Sequence, residues 1–409
     1  MRDLVRRIDA ATPPGRDRAV DALRAFAILG VVLGHWLVTA LVADSGTVRA
    51  ASPLQFLPGL APVSWLVQTL AVFFLVGGQV AAKSHASAVA RGESYGRWLR
   101  ARLARLFRPV AALLVVWTAA VAGMLVSGVG PDTVYTLGKL VLSPLWFLLV
   151  FAALTAATPL VSKLHPLWPL AVVLHVDLIR FGLGGPAALG WINVAAGWLV
   201  PYCLGAAWAR GHVSSRATGW VLLLGGASAT ALLVLFAGYP AAMVGVPGAA
   251  ISNLNPPTLA AVTFGLAQCG AALLLLGPLR RVLARPAAWA AVALVNLSAM
   301  TIFLWHQTAM MAVTATGLLT GGALPGLHTL PDGPGWILAR LAWLPVFGAA
   351  LLICWAAFRT YEQGRRAEGN GRADNRPVRR SGRSGRPGER AAAHPPRVDL
   401  GMRGTRWSA

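Results

Sequence analysis

Two histidines and a few arginines stand inside stretches that are otherwise almost free of ionisable groups. In "AVDALRAFAILGVVLGHWLVTALVA", Arg24 and His35 lie eleven residues apart. Eleven helical steps come within about 20° of whole turns and rise roughly 16 Å, so both side chains leave one face of a helix at different depths. An imidazole, with an ordinary pKa of about 6.5, can take a proton from a hydroxyl and return it. Placed near the middle of an apolar run, it is costly unless it faces a partner or a cavity. Asp21 precedes Arg24 by one turn and is placed to orient it, while Arg24 alone also fits a snorkelling anchor. A second histidine, His306 in "VNLSAMTIFLWHQTAMM", falls at a similar depth of another run, either as a hydrogen-bonded link between helices or as a partner in proton transfer. Arg102 and Arg105 belong to "SYGRWLRARLARLFRPV", where Trp98, Leu99, Leu103, Leu106 and Phe107 recur with helical spacing. Such an amphipathic helix lies on a membrane surface or presents its arginines to a polyanion.

The elements that must carry these residues follow from composition. Of 409 residues 56% are hydrophobic and only 12% charged, which excludes an ordinary soluble domain. Apolar runs long enough to cross about 30 Å of hydrocarbon recur through the chain. Ten are counted, at 20–42, 60–82, 107–126, 140–160, 167–181, 189–208, 219–239, 258–276, 294–318 and 336–358. The fifth is short and carries His175, Asp177 and Arg180, so it is expected to end early or break. The fold class is therefore all-α, a polytopic transmembrane helical bundle of about ten spans.

Cytoplasmic loops carry the excess of Lys and Arg. Lys83, Arg91, Arg97, Arg100, Arg102, Arg105 and Arg108 mark the second connection, and Lys163, Arg210, Arg216, Arg280, Arg281 and Arg285 mark the later even ones. This alternation places both termini in the cytoplasm and divides the chain into a cytoplasmic segment 1–18, a membrane domain 19–358 and a basic tail 359–409. The tail, rich in Arg, Gly, Pro and Ser, is expected to be disordered. It supplies much of the +22 net charge, which reads as topology plus attraction to anionic lipid. No aromatic interleaving supports a nucleic-acid partner. Cys203, Cys269 and Cys354 lie in apolar stretches without metal-like spacing, so neither a disulfide nor a bound metal is expected. Arg in excess of Lys, with abundant Ala, Gly and Val, suits the inner membrane of a bacterium.

These motifs resemble the integral-membrane acyltransferase family 3. "VDALRAFAILGVVLGHWL" is similar to its first-helix signature through Asp21, Arg24 and His35, "VFFLVGGQVAAKS" to its second-helix element and "RLARLFRP" to its RxxRLxxP segment through Arg102, Arg105 and Pro109. "PLWFLLVF" and "FLWHQTAM" resemble its later elements. Gly77-Gly78 stands where many members carry Ser-Gly, so no hydroxyl is available there. The resemblance implies O-acylation of a sugar or related hydroxyl compound by acyl-CoA, acetyl-CoA being the expected donor substrate.

Combined with the residue chemistry, it implies that acyl-CoA docks from the cytoplasm with its phosphates near Arg24, Arg102 and Arg105. Its acyl arm would reach up to His35, the general base on the acceptor hydroxyl, and His306 would assist. Trp146 and Phe147 read as an interfacial belt, and "SNLNPPT" with Asn253 and Asn255 as a Pro-stiffened turn. The rival class is a secondary transporter or flippase using midplane histidines as a proton relay. The partners expected are acyl-CoA, a hydroxyl-bearing acceptor and membrane lipid; the residues specify no oligomeric state.

Overall fold

The computed structural model describes residues 2–44, 46–213 and 215–363. The expected disordered tail falls, from residue 364 onward, outside the described residues. A short helix, α1 (Arg2–Ala10), precedes α2 (Arg18–Val38), whose N-cap Asp17 accepts from the Ala19 amide. After Val38 the chain turns extended. β1 (Ala40–Asp44) pairs antiparallel with β2 (Thr47–Ala51), with Ala40 opposite Ala51. Gly46, at φ +81°, supplies the left-handed position of the turn. Two four-residue helices follow, α3 (Pro53–Phe56) and α4 (Ala61–Ser64).

The larger helices are α5 (Leu70–Ala90), α6 (Tyr95–Val126), α7 (Pro131–Leu142) and α8 (Leu145–Ala156), then one-turn α9 (Thr158–Val161) and short α10 (Leu167–Asp177). They continue as α11 (Ile192–Ala209), α12 (Arg216–Phe236), α13 (Leu259–Val282), α14 (Pro286–Leu297), α15 (Ala299–Leu318) and α16 (Pro334–Gln363). The sheet is confined to the one hairpin among the described residues, so the all-α bundle expected from composition is what folds.

Seven helical segments among the described residues are long and apolar enough to cross a membrane, or eight when the pair α14 and α15, bent by 71°, is one span. The chain is a multi-pass membrane protein. The difference from ten runs has local causes. In the run 60–82 the first ten residues form α4 and a turn, and the helix begins only at Leu70. Its second half then carries Gln79, Lys83, Ser84 and His85. The run 167–181 is an eleven-residue helix closed by a π turn at Leu178–Gly182, the early ending foreseen from its charges. Run 140–160 starts earlier than expected, at Pro131, with a break at Ser143 and Pro144.

The helix that carries "RxxRLxxP" is continuous: α6 runs 32 residues through Pro109. Two close helix approaches set the bundle. A Cβ on Gly78 would collide with the carbonyl oxygen of Tyr202 on α11, and one on Gly205 with that of Leu75 on α5. Small residues let backbones meet this way inside a membrane, where packing replaces the hydrophobic drive. Outward-facing Val115, Phe236 and Ile353 remain exposed, the lipid-facing skin of such a bundle.

Candidate active site

His35 comes from the last turn of α2 and is half-buried. It forms part of the wall of a cavity of about 380 Å³ at the hairpin end of the bundle, together with Thr39, Gln68, Lys139, Trp146 and Phe303. Trp146 and Phe147 are both part of this wall. Leu254, from the Pro-rich turn, also reaches it. The neighbouring Asn253 is spent on the turn itself, bonding the carbonyls of Pro240 and Ala242 and the hydroxyl of Thr258.

Behind His35 lies His306 on α15, fully buried, with ring centroids 5.0 Å apart. The sequence alone could not make α2 and α15 neighbours; the fold does. His306 Nδ1 donates to the carbonyl of Phe303 at 2.6 Å, and its Nε2 is buried without a hydrogen-bond partner among the described residues. The side-chain amide of Gln307, adjoining His306, meets His35 Nδ1 at 2.9 Å. The register of the two helices is locked by Trp36, whose indole N–H donates to the His306 carbonyl at 3.0 Å.

Arg340 of α16 secures this end of α2. It is 1% exposed, and its guanidinium donates to the carbonyls of Trp36 and Thr39 at 2.6 Å each and of Gly326 at 2.9 Å. A cation on the last carbonyls of a helix satisfies groups that the helix leaves open and complements its dipole.

Arg24, Arg102 and Arg105 lie away from that cavity, and none of them lines it. Arg24, on the first turns of α2, donates through Nε to Asn296 Oδ1 at 2.5 Å and more weakly to Asp21 at 3.4 Å. Asp21 is gripped more closely by Arg16, at 2.6 and 3.2 Å. Asn296, rather than Asp21 as expected, is therefore the main support of Arg24. It also donates to the Asp21 carbonyl at 2.8 Å. Arg102 from α6 lies 5.3 Å over the Trp98 ring and bonds the Val80 carbonyl at 3.3 Å, while its Nε is buried without a partner among the described residues. It is within electrostatic reach of both Arg24 and Arg105. Arg105 is exposed and bonds only its own helix, at the Ala101 carbonyl.

A family model described as an acyltransferase domain, Acyl_transf_3, matches residues 17–359. The chain belongs to acyltransferase family 3. Comparison with the curated proteins and with the solved structures gave no match. Membership makes the chain an acyltransferase. It also frames the Gly77-Gly78 departure from the family's Ser-Gly. A Cβ on Gly78 would collide with the Tyr202 backbone, so packing disfavours any side chain there, whereas one on Gly77 would require the Phe151 ring to move.

Other candidates separate. His175 is exposed and bonds the Ala171 carbonyl of its own helix. Asp177 pairs with Arg180 at 3.5 Å and accepts from Asn193, Tyr239 and the Leu259 amide. That cluster knits α10 to α11 and α13. Four supporting residues escaped the sequence reading: Asn296, Gln307, Arg340 and Glu362. Three of them carry a signal, being polar groups inside apolar runs. Glu362 carries none, since it sits among polar neighbours at the edge of the tail.

Proposed function

We propose that this acyltransferase moves an acyl group, acetyl being the expected one, from acyl-CoA to a hydroxyl of a carbohydrate or glycolipid held in the cavity beside His35. The N-terminal end of α2 faces the cytoplasm of a bacterial inner membrane, where Arg24, Arg102 and Arg105 meet the donor's phosphates; guanidinium groups suit bidentate phosphate contacts. The acceptor enters from the hairpin end. His35 takes the proton of its hydroxyl as the oxygen attacks the thioester carbonyl, the carbon–sulfur bond breaks, and the imidazolium returns the proton to the leaving thiolate. General-base action of this kind contributes about 10² to 10⁴-fold, and holding both reactants in one site supplies much of the remainder.

The observation that carries this reading is the arrangement along one helix. His35 borders a substrate-sized cavity at one end of α2, and an arginine cluster with an unpartnered buried nitrogen gathers at the other. Ile28, Val32 and Phe303 belong to one packed apolar cluster, so the acyl arm reaches His35 only as those side chains part.

Purified protein in lipid, given radiolabelled acetyl-CoA and hydroxyl acceptors extracted from a bacterial envelope, should release free CoA and label the acceptor. A transporter or flippase would move the acceptor without consuming acetyl-CoA, and that outcome would replace the proposal.

A further inference from the structure

Gln307 occupies a place where an apolar residue would be cheaper. It is fully buried, and a buried carboxamide is costly unless its atoms are bonded. One of its amide atoms meets His35 Nδ1 at 2.9 Å, and the other, Oε1 as placed, has no partner among the described residues. His35 lines the cavity and Gln307 does not. Nδ1 is therefore turned inward to the protein, and Nε2 is the ring nitrogen left for the cavity.

The oxygen and nitrogen of a primary amide exchange places by a half-turn of the carboxamide. With the nitrogen toward His35, Nδ1 accepts and Nε2 must carry the ring proton. With the oxygen toward it, Nδ1–H donates and Nε2 keeps a lone pair. Only the second arrangement gives a neutral imidazole that can accept a proton from the cavity side. The hydrogen bond on one ring nitrogen sets the role of the other.

We propose that Gln307 is a positioning residue for acyl transfer: its side-chain oxygen holds Nδ1–H of His35 and so presents Nε2 to the acceptor as the basic nitrogen. This rests on the reading of His35 as general base. The titratable and charged groups around His35 are few. His306 faces it from α15, Lys139 of α7 shares the cavity wall, and Arg340 of α16 binds the carbonyl of the next residue, Trp36. From the segment before α5, Gln68 and Thr69 are uncharged.

The test measures acetyl-CoA turnover against pH for the full chain and for Gln307→Leu, Gln307→Glu and His35→Ala, each normalised to folded protein by size-exclusion and melting temperature. Gln307→Leu should lower kcat about 10²-fold, the cost of a misplaced catalytic group, with KM for acetyl-CoA unchanged. Gln307→Glu should keep most of the activity, because a carboxylate also accepts from Nδ1–H. It stabilises the imidazolium, so the acid limb of the rate profile should move to higher pH. Gln307→Met replaces the leucine variant if that variant does not fold. Wild-type kcat and an unmoved acid limb in the folded Gln307 variants, with His35→Ala inactive, would overturn the role of Gln307 and leave His35 as the base. An inactive Gln307→Glu beside an active Gln307→Leu would also overturn it. An active His35→Ala would remove the general base itself.

Discussion

Arg340 shows how much of the site rests on single side chains that touch no substrate. Its donors hold the carbonyls of Trp36 and of the C-cap Thr39, one and four residues beyond His35. Arg340→Leu should leave buried acceptors unpaired and cost at least about 1.5–3 kcal/mol, the worth of one hydrogen bond to a charged group. The measurement is thermal unfolding in detergent, where a lower melting temperature is expected, with loss of acetyl transfer at temperatures the parent tolerates. At the opposite end, Arg102→Ala should raise KM for acetyl-CoA about 10-fold or more, since charge-assisted contacts to phosphate are strong, while kcat at saturation changes little. At this scale His35 and Arg24 stand out in the sequence, because an ionisable group in an apolar run is expensive enough to need a reason, but their partners Gln307 and Asn296 do not. Gln307 stood beside His306 in a quoted stretch, yet its role depends on a contact across 272 positions of sequence. No local pattern encodes that.

The helices explain which apolar runs mislead. Residues 60–69 hold one-turn α4 and the turn after it, with Trp65 packed against the Met243 and Phe264 cluster and Val67, Gln68 and Thr69 in the cavity lining. They read as the start of a span. Residues 40–42 continue the first apolar run but turn into a strand, Ala40 and Val42 packing against Trp336. Hydropathy measures removal from water and does not distinguish lipid from a cavity wall or a hairpin core. The start of α15, at the bend after α14, is held by a residue far off in sequence. Glu362, at the end of α16, accepts from the Met300 and Thr301 amides and the Thr301 hydroxyl, capping the open N-terminus of α15. A chain ending at Gln363 should therefore transfer acetyl groups as the full chain does, whereas one ending at Phe358 should lose activity and melt at lower temperature. The contact of α5 with α11 permits a second check. Gly205→Val would push a side chain into the Leu75 carbonyl, and overpacking of this kind costs about 1–3 kcal/mol, readable as a lower melting temperature in detergent.

Over the whole molecule, the length of α2 separates the cavity beside His35 from Arg24 near the helix's N-terminal end. The all-α bundle was legible because composition leaves no other solution in lipid, and the family was legible in the order of its motifs. The packed seam between the arginines and His35 was not, since it arises where α2, α15 and their neighbours converge. Acetyl-CoA should accordingly be consumed only when supplied on the side of the N-terminal end of α2, a result that oriented vesicles can report. The most direct test of the central claim is label transfer from radiolabelled acetyl-CoA to envelope acceptors by purified parent protein and by His35→Ala at equal folded concentration. The account predicts transfer by the parent and a loss of about 10² to 10⁴-fold in the variant; transfer at the parental rate by His35→Ala would contradict it.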